Sequence, residues 1–490
     1  MRVLLVSPQS PDTFWSFKYV LPFVAKRAVF PPLGLLTVAA LLPPSWDVKL
    51  VDLNVKPLRD ADLQWADYVM IGAMIVHKQS VCEILTRCRA IDRPVIGGGP
   101  LFTAAPEDWD ADVHCVLGEA EDVMEELLRD IESGRLRRRY KAMGRPDMAR
   151  TAVPRWDLIE FRDYVTMLVQ FSRGCPYDCE FCDIVALNGK VPRTKSPAQM
   201  IAELDELQHL GWRDMVFLVD DNFIGNKARV KEFLVELVRW RKRTGSQMGF
   251  FTEASVNLAD DDELLNLMVE AGFKRVFLGI ETPVRSSLEE CRKLQNTRRD
   301  LAESIRTIQQ AGLEVMGGFI VGFDNDPADI FELQYEFIQK TGIVTAMVGL
   351  LTALPQTRLY KRLSREGRLL TETTGDNTAA VLNFVPRLDR RFLIEGYRRL
   401  MRSLYEPRSY YQRILAFLNE HGPRGPALGL SWTDFKAFIK SLWLMGVWHR
   451  GRVAFWLFFS TVLLRHPRQV THAMTLAIYG HHFRRVAAGL

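Results

Sequence analysis

The sequence predicts an α/β protein in three parts: an N-terminal doubly wound sheet, a partial (β/α)6 barrel and a helical C-terminal region. Three observations carry that expectation. Short apolar runs alternate with helical stretches over the first 130 or so residues, the pattern of parallel strands joined by crossover helices. The same rhythm returns six times from Tyr164 onward, then stops after about residue 375. At 490 residues the chain is also too long for one ordinary core, so two or three domains are expected.

The first part is placed at 1–140. Its strands read "RVLLVSP", "DVKLVDLN", "ADYVMIGAM", "RPVIGGGP" and "DVHCVLGEAE", and its helices "LGLLTVAALLP", "KQSVCEILTRCRA" and "EDVMEELLRDIESG". Ligands of such sheets lie at the carboxyl ends of the strands, here Ser7–Pro8, Asp52–Asn54, Gly97–Pro100 and Gly118–Glu121. Residues 141–163, rich in Arg and Pro, read as a solvated linker. The barrel is placed at 164–372, with strands "VTMLVQFS", "MVFLVDDN", "MGFFTEAS", "RVFLGIET", "EVMGGFIVGF" and "TAMVGLLTAL". Chemistry at its strand ends would fall to Asp220, Asp221, Asn222, Glu253, Glu281 and Asp324. Residues 373–490 form the helical region.

Composition narrows the class. Hydrophobic content of 48% with 25% charged residues belongs to a folded globular chain, and a formal charge of +5 gives no support to nucleic-acid binding. The apolar run in "MRVLLVSPQS" is too short for a signal peptide and reads as a first strand. Seven cysteines, three clustered and four scattered, do not make a disulfide framework, so a cytoplasmic protein is expected. Val453–Leu464 is apolar for twelve residues between basic flanks, short of the about 20 a spanning helix needs. An interfacial helix, giving peripheral membrane contact, and a core helix both remain open.

"SRGCPYDCEFCDI" places Cys175, Cys179 and Cys182 at CxxxCxxC in the loop after the first barrel strand. A short loop can turn three sulfurs toward one metal or cluster. Structural zinc sites are closed by four ligands, commonly in paired knuckles, and neither a second CxxC nor a His stands nearby. Three ligands for a [4Fe–4S] cluster would leave one iron open.

This motif, with Phe181 before the last cysteine at the mouth of a partial barrel, resembles the radical S-adenosylmethionine (SAM) superfamily. The resemblance spans roughly residues 165–370. It implies that the open iron chelates the amino and carboxylate groups of SAM, and that an electron from a donor such as flavodoxin or ferredoxin cleaves SAM to a 5′-deoxyadenosyl radical. It further implies SAM contacts at Phe181, at Asp221 and Asn222 in "VDDNF", at Glu253 in "FTEAS", at Glu281 in "GIET" and at Gly322 in "GGFIVGFDND", where Asp324 stands in place of a frequent glutamate. The sheet ahead of the barrel resembles the cobalamin-binding subfamily, which implies corrinoid contacts at Ser7, Pro8, Asp52, Asn54, Gly98, Gly99, Gly118 and Glu119. Asn54 stands where cobalt-ligating cobalamin domains carry a His, and an amide is a poor cobalt ligand beside imidazole. Cobalamin is therefore expected without a histidine ligand; His77 is considered for the lower face, though a lone His at a strand end reads more simply as structural.

Together these resemblances imply methylation of an unactivated carbon, with cobalamin as methyl carrier, of a small or lipid-like substrate. The apolar C-terminal helices fit a likeness to hopanoid methylases. Oxidative ring closure or rearrangement is the alternative within the subfamily. A tRNA methylthiotransferase would need a second cluster from Cys82, Cys88 and Cys115, of which the first two, on different faces of one helix, read as buried small hydrophobes. A cobalamin sensor would have no use for the triple cysteine. Tyr177, His209 and Asp324 are unranked acid or base candidates; no catalytic residue is assigned.

Overall fold

The computed structural model describes residues 1–371, 373–376, 378–421, 432–448 and 451–490, with side chains of 432–437 omitted. His449 and Arg450, part of the basic flank of the expected interfacial helix, and residues 422–431 of the helical region lie outside the described residues.

The first sheet holds β1 (Arg2–Ser7), β2 (Asp47–Asp52), β3 (Tyr68–Gly72), β4 (Val95–Gly98), β5 (Val113–Leu117) and β6 (Arg139–Lys141). They pair parallel in the order β2-β1-β3-β4-β5-β6. The order reverses at β1, so the ends of β1 and β3 diverge and leave a crevice there. Both faces are covered, which is why the strands read as unbroken Val, Leu and Ile: Leu4 and Val6 belong to one apolar layer, Val3 and Leu5 to the other. The sequence suggested five strands; β6 is a short edge strand at the start of the presumed linker. That segment is not merely a solvated connector, because Met148 and Trp156 are buried and Arg155 N donates to Leu36 O.

The second sheet comprises β7 (Met167–Val169), β8 (Val216–Leu218), β9 (Phe250–Ala254), β10 (Phe273–Glu281), β11 (Glu314–Val321) and β12 (Ala346–Leu350), parallel and in chain order. Among the described residues β7 and β12 do not pair, so the barrel is open, as expected. Its helices start on side-chain caps at Ser196, Asp261 and Asp300 and end on left-handed Gly245, Gly272 and Gly312, satisfying end groups that would otherwise lack partners.

Two segments cover the open side. Residues 10–32 cross the barrel interior, where Trp15 meets Phe277 edge-on at 5.4 Å and donates to Met347 Sδ. The last helix, Val470–Gly489, lies over that segment, with Phe483 stacked on Phe14 at 4.1 Å. At the barrel base, Arg275 on β10 pairs with Glu314 on β11 at 3.1 Å, and the same helix adds His472 to Glu314 and Tyr479 to Arg275.

Candidate active site

Ser172–Arg173 pairs antiparallel with Arg193–Thr194 and closes the cysteine loop at its neck. Gly174 sits at φ +100°, and a Cβ there would lie 2.9 Å from Gly189 O, so only glycine fits. The adjacent carboxylates at the end of β8 hold the loop from below. Asp220 accepts from Phe171 N, Ser172 N and Ser172 Oγ, while Asp221 accepts from Gly174 N and Asn188 Nδ2, both at 2.9 Å. Burial pushes Asp220 up to about 7, against the pull of those donors.

The three sulfurs are free thiols, each facing an N–H. Cys175 is met by Tyr177 N and by Asn222 Nδ2 at 3.9 Å, Cys179 by Gln295 Nε2 at 3.9 Å, and Cys182 by Ile184 N. Burial raises all three thiols, and the Lys293 ammonium opposes it. Cys88 is buried as expected and Cys115 is buried too, but Cys82, also expected to be buried, is exposed, because it falls on the solvent side of helix Lys78–Arg89.

Around this loop the barrel mouth gathers part of what the sequence suggested. Asn222 also donates to Ser255 Oγ. Glu253 has no hydrogen bond or ion pair among the described residues; burial, then the Asp221 and Asp220 charges, raise it to about 7. Glu281, held at φ +66°, accepts from Lys293 at 2.7 Å. Phe181 rests 6.1 Å from Phe323. Gly322, at φ +106°, donates to Asp326, which also accepts from Ser287 Oγ at 2.6 Å. Asp324 does not face the mouth: it is paired with Arg368 at 2.6 Å and Arg362 at 2.8 Å, tying β11 to helix Arg358–Arg365. His209 is exposed in the last turn of helix Pro197–His209, at the barrel's other end. Tyr177 remains beside Cys175 through its backbone. Sequence reasoning missed Lys293, Gln295 and Asp326; "CRKLQN" follows helix Arg285–Glu290 and carries no spacing that signals a site.

A cavity of about 920 Å³ lies between the first sheet and the barrel. Ser7, Asn54, Gly98, Gly99, Gly118 and Glu119 line one wall, and Leu168, Gln170, Arg173, Phe217 and Val219 the other. Two of the expected residues do not line it. Pro8 is buried, with its carbonyl accepting from Asn54 Nδ2. Asp52 accepts from Tyr164 Oη at 3.0 Å and from Asn54 N and Nδ2, so it braces the sheet against the barrel. Asn54 spends its amide on these contacts and on Ser10 N. His77 Nδ1 accepts from Met74 N, which leaves the proton on Nε2, 3.1 Å from Ser10 Oγ; neither nitrogen offers a lone pair to cobalt. Across the gap, Arg173 pairs with Glu119 at 2.6 Å and Glu121 at 2.8 Å, and Arg193 with Glu119 at 2.6 Å. These pairs bind the Gly118 loop to the neck of the cysteine loop.

Residues 24–128 match a B12 binding domain, residues 169–338 the radical SAM superfamily, and residues 357–490 a domain of unknown function. The hopanoid C-2 methylase of Rhodopseudomonas palustris (strain TIE-1) is 34% identical, the alignment covering 98% of this chain and 92% of that one. An uncharacterized methyltransferase of Synechocystis sp. is 42% identical over 99% of this chain and 91% of its own length. The chain belongs to the cobalamin-dependent radical SAM methyltransferases. The fold of the cobalamin-dependent SAM radical enzyme OxsB, solved with aqua-cobalamin and SAM bound, aligns with a TM-score of 0.64 over 100% of this chain and 80% of that one, at 14% identity. The relatives that span the whole chain carry methyltransferase or methylase names, which sets methyl transfer above oxidative ring closure.

A radical SAM methyltransferase of this kind uses a [4Fe–4S] cluster, SAM and cobalamin, and the residues present fit all three. The thiols are unpaired with one another and meet N–H donors, as cluster thiolates require. Glu253, without a partner, leaves a carboxylate for a ligand's hydroxyls. A Cβ on Gly118, at φ +81°, would enter open space, so a bulky ring can approach the backbone there. At Gly99, φ +96°, a Cβ would stand 2.7 Å from Ala73 O, so the β4 turn exists only with glycine.

Proposed function

We propose that this enzyme methylates an unactivated carbon of a lipid-like, polycyclic apolar substrate held in the chamber between the two sheets. The observation that carries the reading is the composition of that chamber. Its sheet side is glycine-edged, while Trp15, Phe30 and Leu33 of the segment that crosses the barrel and of the helix after it, with Leu168 and Phe217 of the barrel, add an apolar and aromatic part beside Gln170 and Arg173. Phe30 lies 5.7 Å from Phe217, which stacks on Phe251 at 4.4 Å, and such a wall suits a flat hydrocarbon frame. The hopanoid C-2 methylase among the relatives supports the same substrate class.

In this reading Cys175, Cys179 and Cys182 ligate the cluster. Phe181, Asn222, Glu253 and Gly322 face SAM, Asp221 shapes the loop, and Glu281 holds Lys293. Ser7, Gly98, Gly99, Gly118 and Glu119 border the corrinoid. When bound, the cluster and SAM supply hydrogen abstraction and the corrinoid supplies the methyl group. The protein's part is alignment and exclusion of water, with the Arg173, Glu119 and Glu121 pairs setting the distance between the two cofactor loops. A low-potential flavodoxin or ferredoxin supplies electrons, and the enzyme works in contact with a membrane.

The test is anaerobic incubation of reconstituted enzyme with methyl-deuterated SAM, a reductant and a pentacyclic triterpenoid. A labelled methyl on the lipid carbon skeleton is expected. Formation of 5′-deoxyadenosine with no label in any lipid fraction would overturn the substrate assignment.

A further inference from the structure

We infer that the hairpin of helices Trp432–Trp443 and Arg452–Arg465 lies flat on an anionic lipid bilayer, beside the chamber it serves; the second clause rests on the lipid-like substrate, the docking itself does not.

Helix Arg452–Arg465 is apolar on two sides. Phe455, Phe458 and Val462 are buried, with Phe458 stacked 4.8 Å from Tyr411. The opposite side carries Leu457 at 66% exposure and Leu464 at 84%, and the preceding helix and π-helical turn add Trp443 at 61% and Trp448 at 71%. Large apolar side chains exposed together in this way mark an interaction surface. Trp456 Nε1 donates to Gly446 O at 2.9 Å and fixes the two arms together. No described helix is long and apolar enough to cross a membrane, so membrane contact through this face would be peripheral.

Charge selects the occupant. Residues 435–490 hold eight Lys and Arg and no Asp or Glu, whereas the residues before them hold 56 Lys and Arg against 59 Asp and Glu. Arg452, Arg465 and Arg468 are exposed beside the apolar face. A second copy would set this basic segment against its own image, while an anionic bilayer complements both its apolar and basic parts. The location also fits. Lys440 Nζ donates to Pro22 O at 3.0 Å and lies 5.5 Å from the Phe23 ring, so the hairpin abuts helix Leu21–Val24. Leu21, with Lys18 and Arg27, lines the chamber. The hairpin therefore touches the short helix whose first residue lines the chamber.

The test is flotation of the full-length protein with substrate-free vesicles of phosphatidylglycerol and phosphatidylcholine in equal parts, against phosphatidylcholine alone. Flotation with the anionic vesicles is expected, with release at high salt. Replacing Arg452, Arg465 and Arg468 by Gln should weaken binding on the order of a hundredfold, from about fivefold per basic residue. Trp448→Ser with Leu457→Ser and Leu464→Ser should weaken it at least about tenfold at low salt. Both variants should keep the wild-type circular dichroism. A wild-type protein that stays unbound, an apolar variant that floats like wild type, or a dimer that dissociates on the same substitutions would overturn the inference. Because the vesicles hold no substrate, these outcomes are independent of the labelling experiment.

Discussion

Glu314→Gln removes one charge from the network at the barrel base and so tests whether the last helix is part of the barrel. Glu314 is almost fully buried, 3.1 Å from Arg275 Nε and 2.9 Å from His472 Nε2, with His421 also near. Burial alone would raise its carboxyl, but Arg275, then His472, hold it at about 2 against an ordinary 4.5. That difference is worth about 3 kcal/mol at about 1.36 kcal/mol per pH unit, the low end of the about 3–5 kcal/mol for breaking a buried pair. A depressed carboxylate stabilises fully above its unfolded value and loses that contribution as pH falls toward the folded one. About 1.4 kcal/mol should then remain at about pH 3. The assay is urea unfolding of wild type and variant at both pH values, with hydrogen exchange of the Val470–Gly489 amides. The variant should lose about 3 kcal/mol at neutral pH, a gap narrowing by roughly half in acid, with the last helix exchanging first. A loss under about 1 kcal/mol, or a gap independent of pH, would refute the reasoning.

Three further outcomes follow from the site. Gly99→Ala places a Cβ 2.7 Å from Ala73 O at φ +96°, a strain of about 1–3 kcal/mol before the clash; corrinoid content per chain should fall severalfold, and more than in Gly118→Ala, which meets nothing. His77→Ala should leave the spectrum of bound cob(II)alamin free of any change in axial nitrogen, because both ring nitrogens are already engaged by Met74 N and Ser10 Oγ. With Glu253 near 7, SAM affinity should weaken as the carboxylate protonates from about pH 8 to about pH 6, and Glu253→Gln should bind weakly with no pH dependence, measured by calorimetry.

Strand positions were legible because buried parallel strands are unbroken apolar runs, and the cysteine loop because its spacing has few other uses. Glycines at strand ends were equally readable: Gly98, Gly99 and Gly118 all border the cavity. What failed were inferences from type without partners. Asp324 has the right place along β11, yet Arg362 and Arg368, more than 35 residues on, turn it into a strut. Asp52 was taken for a ligand contact because nothing local shows that Tyr164 would claim it. His209 was named for its chemistry alone, and its helix carries it away from the mouth. Lys293 was missed for the converse reason, since only tertiary packing brings it to the cysteine loop, and Asp326 because nothing in "GFDND" marks it rather than Asp324 as the acceptor that closes the Gly322 turn. The role of the last helix was also hidden: His472 and Tyr479 pair with residues more than 150 positions earlier.

The central claim is that one chain carries a cluster on the cysteine loop at the barrel mouth and a corrinoid in the cavity between the first sheet and the barrel. The most direct test is anaerobic purification with cobalamin supplied, followed by iron, sulfide and cobalt analysis beside the visible spectrum. The account predicts about four irons and one corrinoid per chain, with the iron lost and the corrinoid kept in Cys175→Ala. Four irons without corrinoid would contradict the first sheet's role, and seven or eight irons would contradict the single cluster.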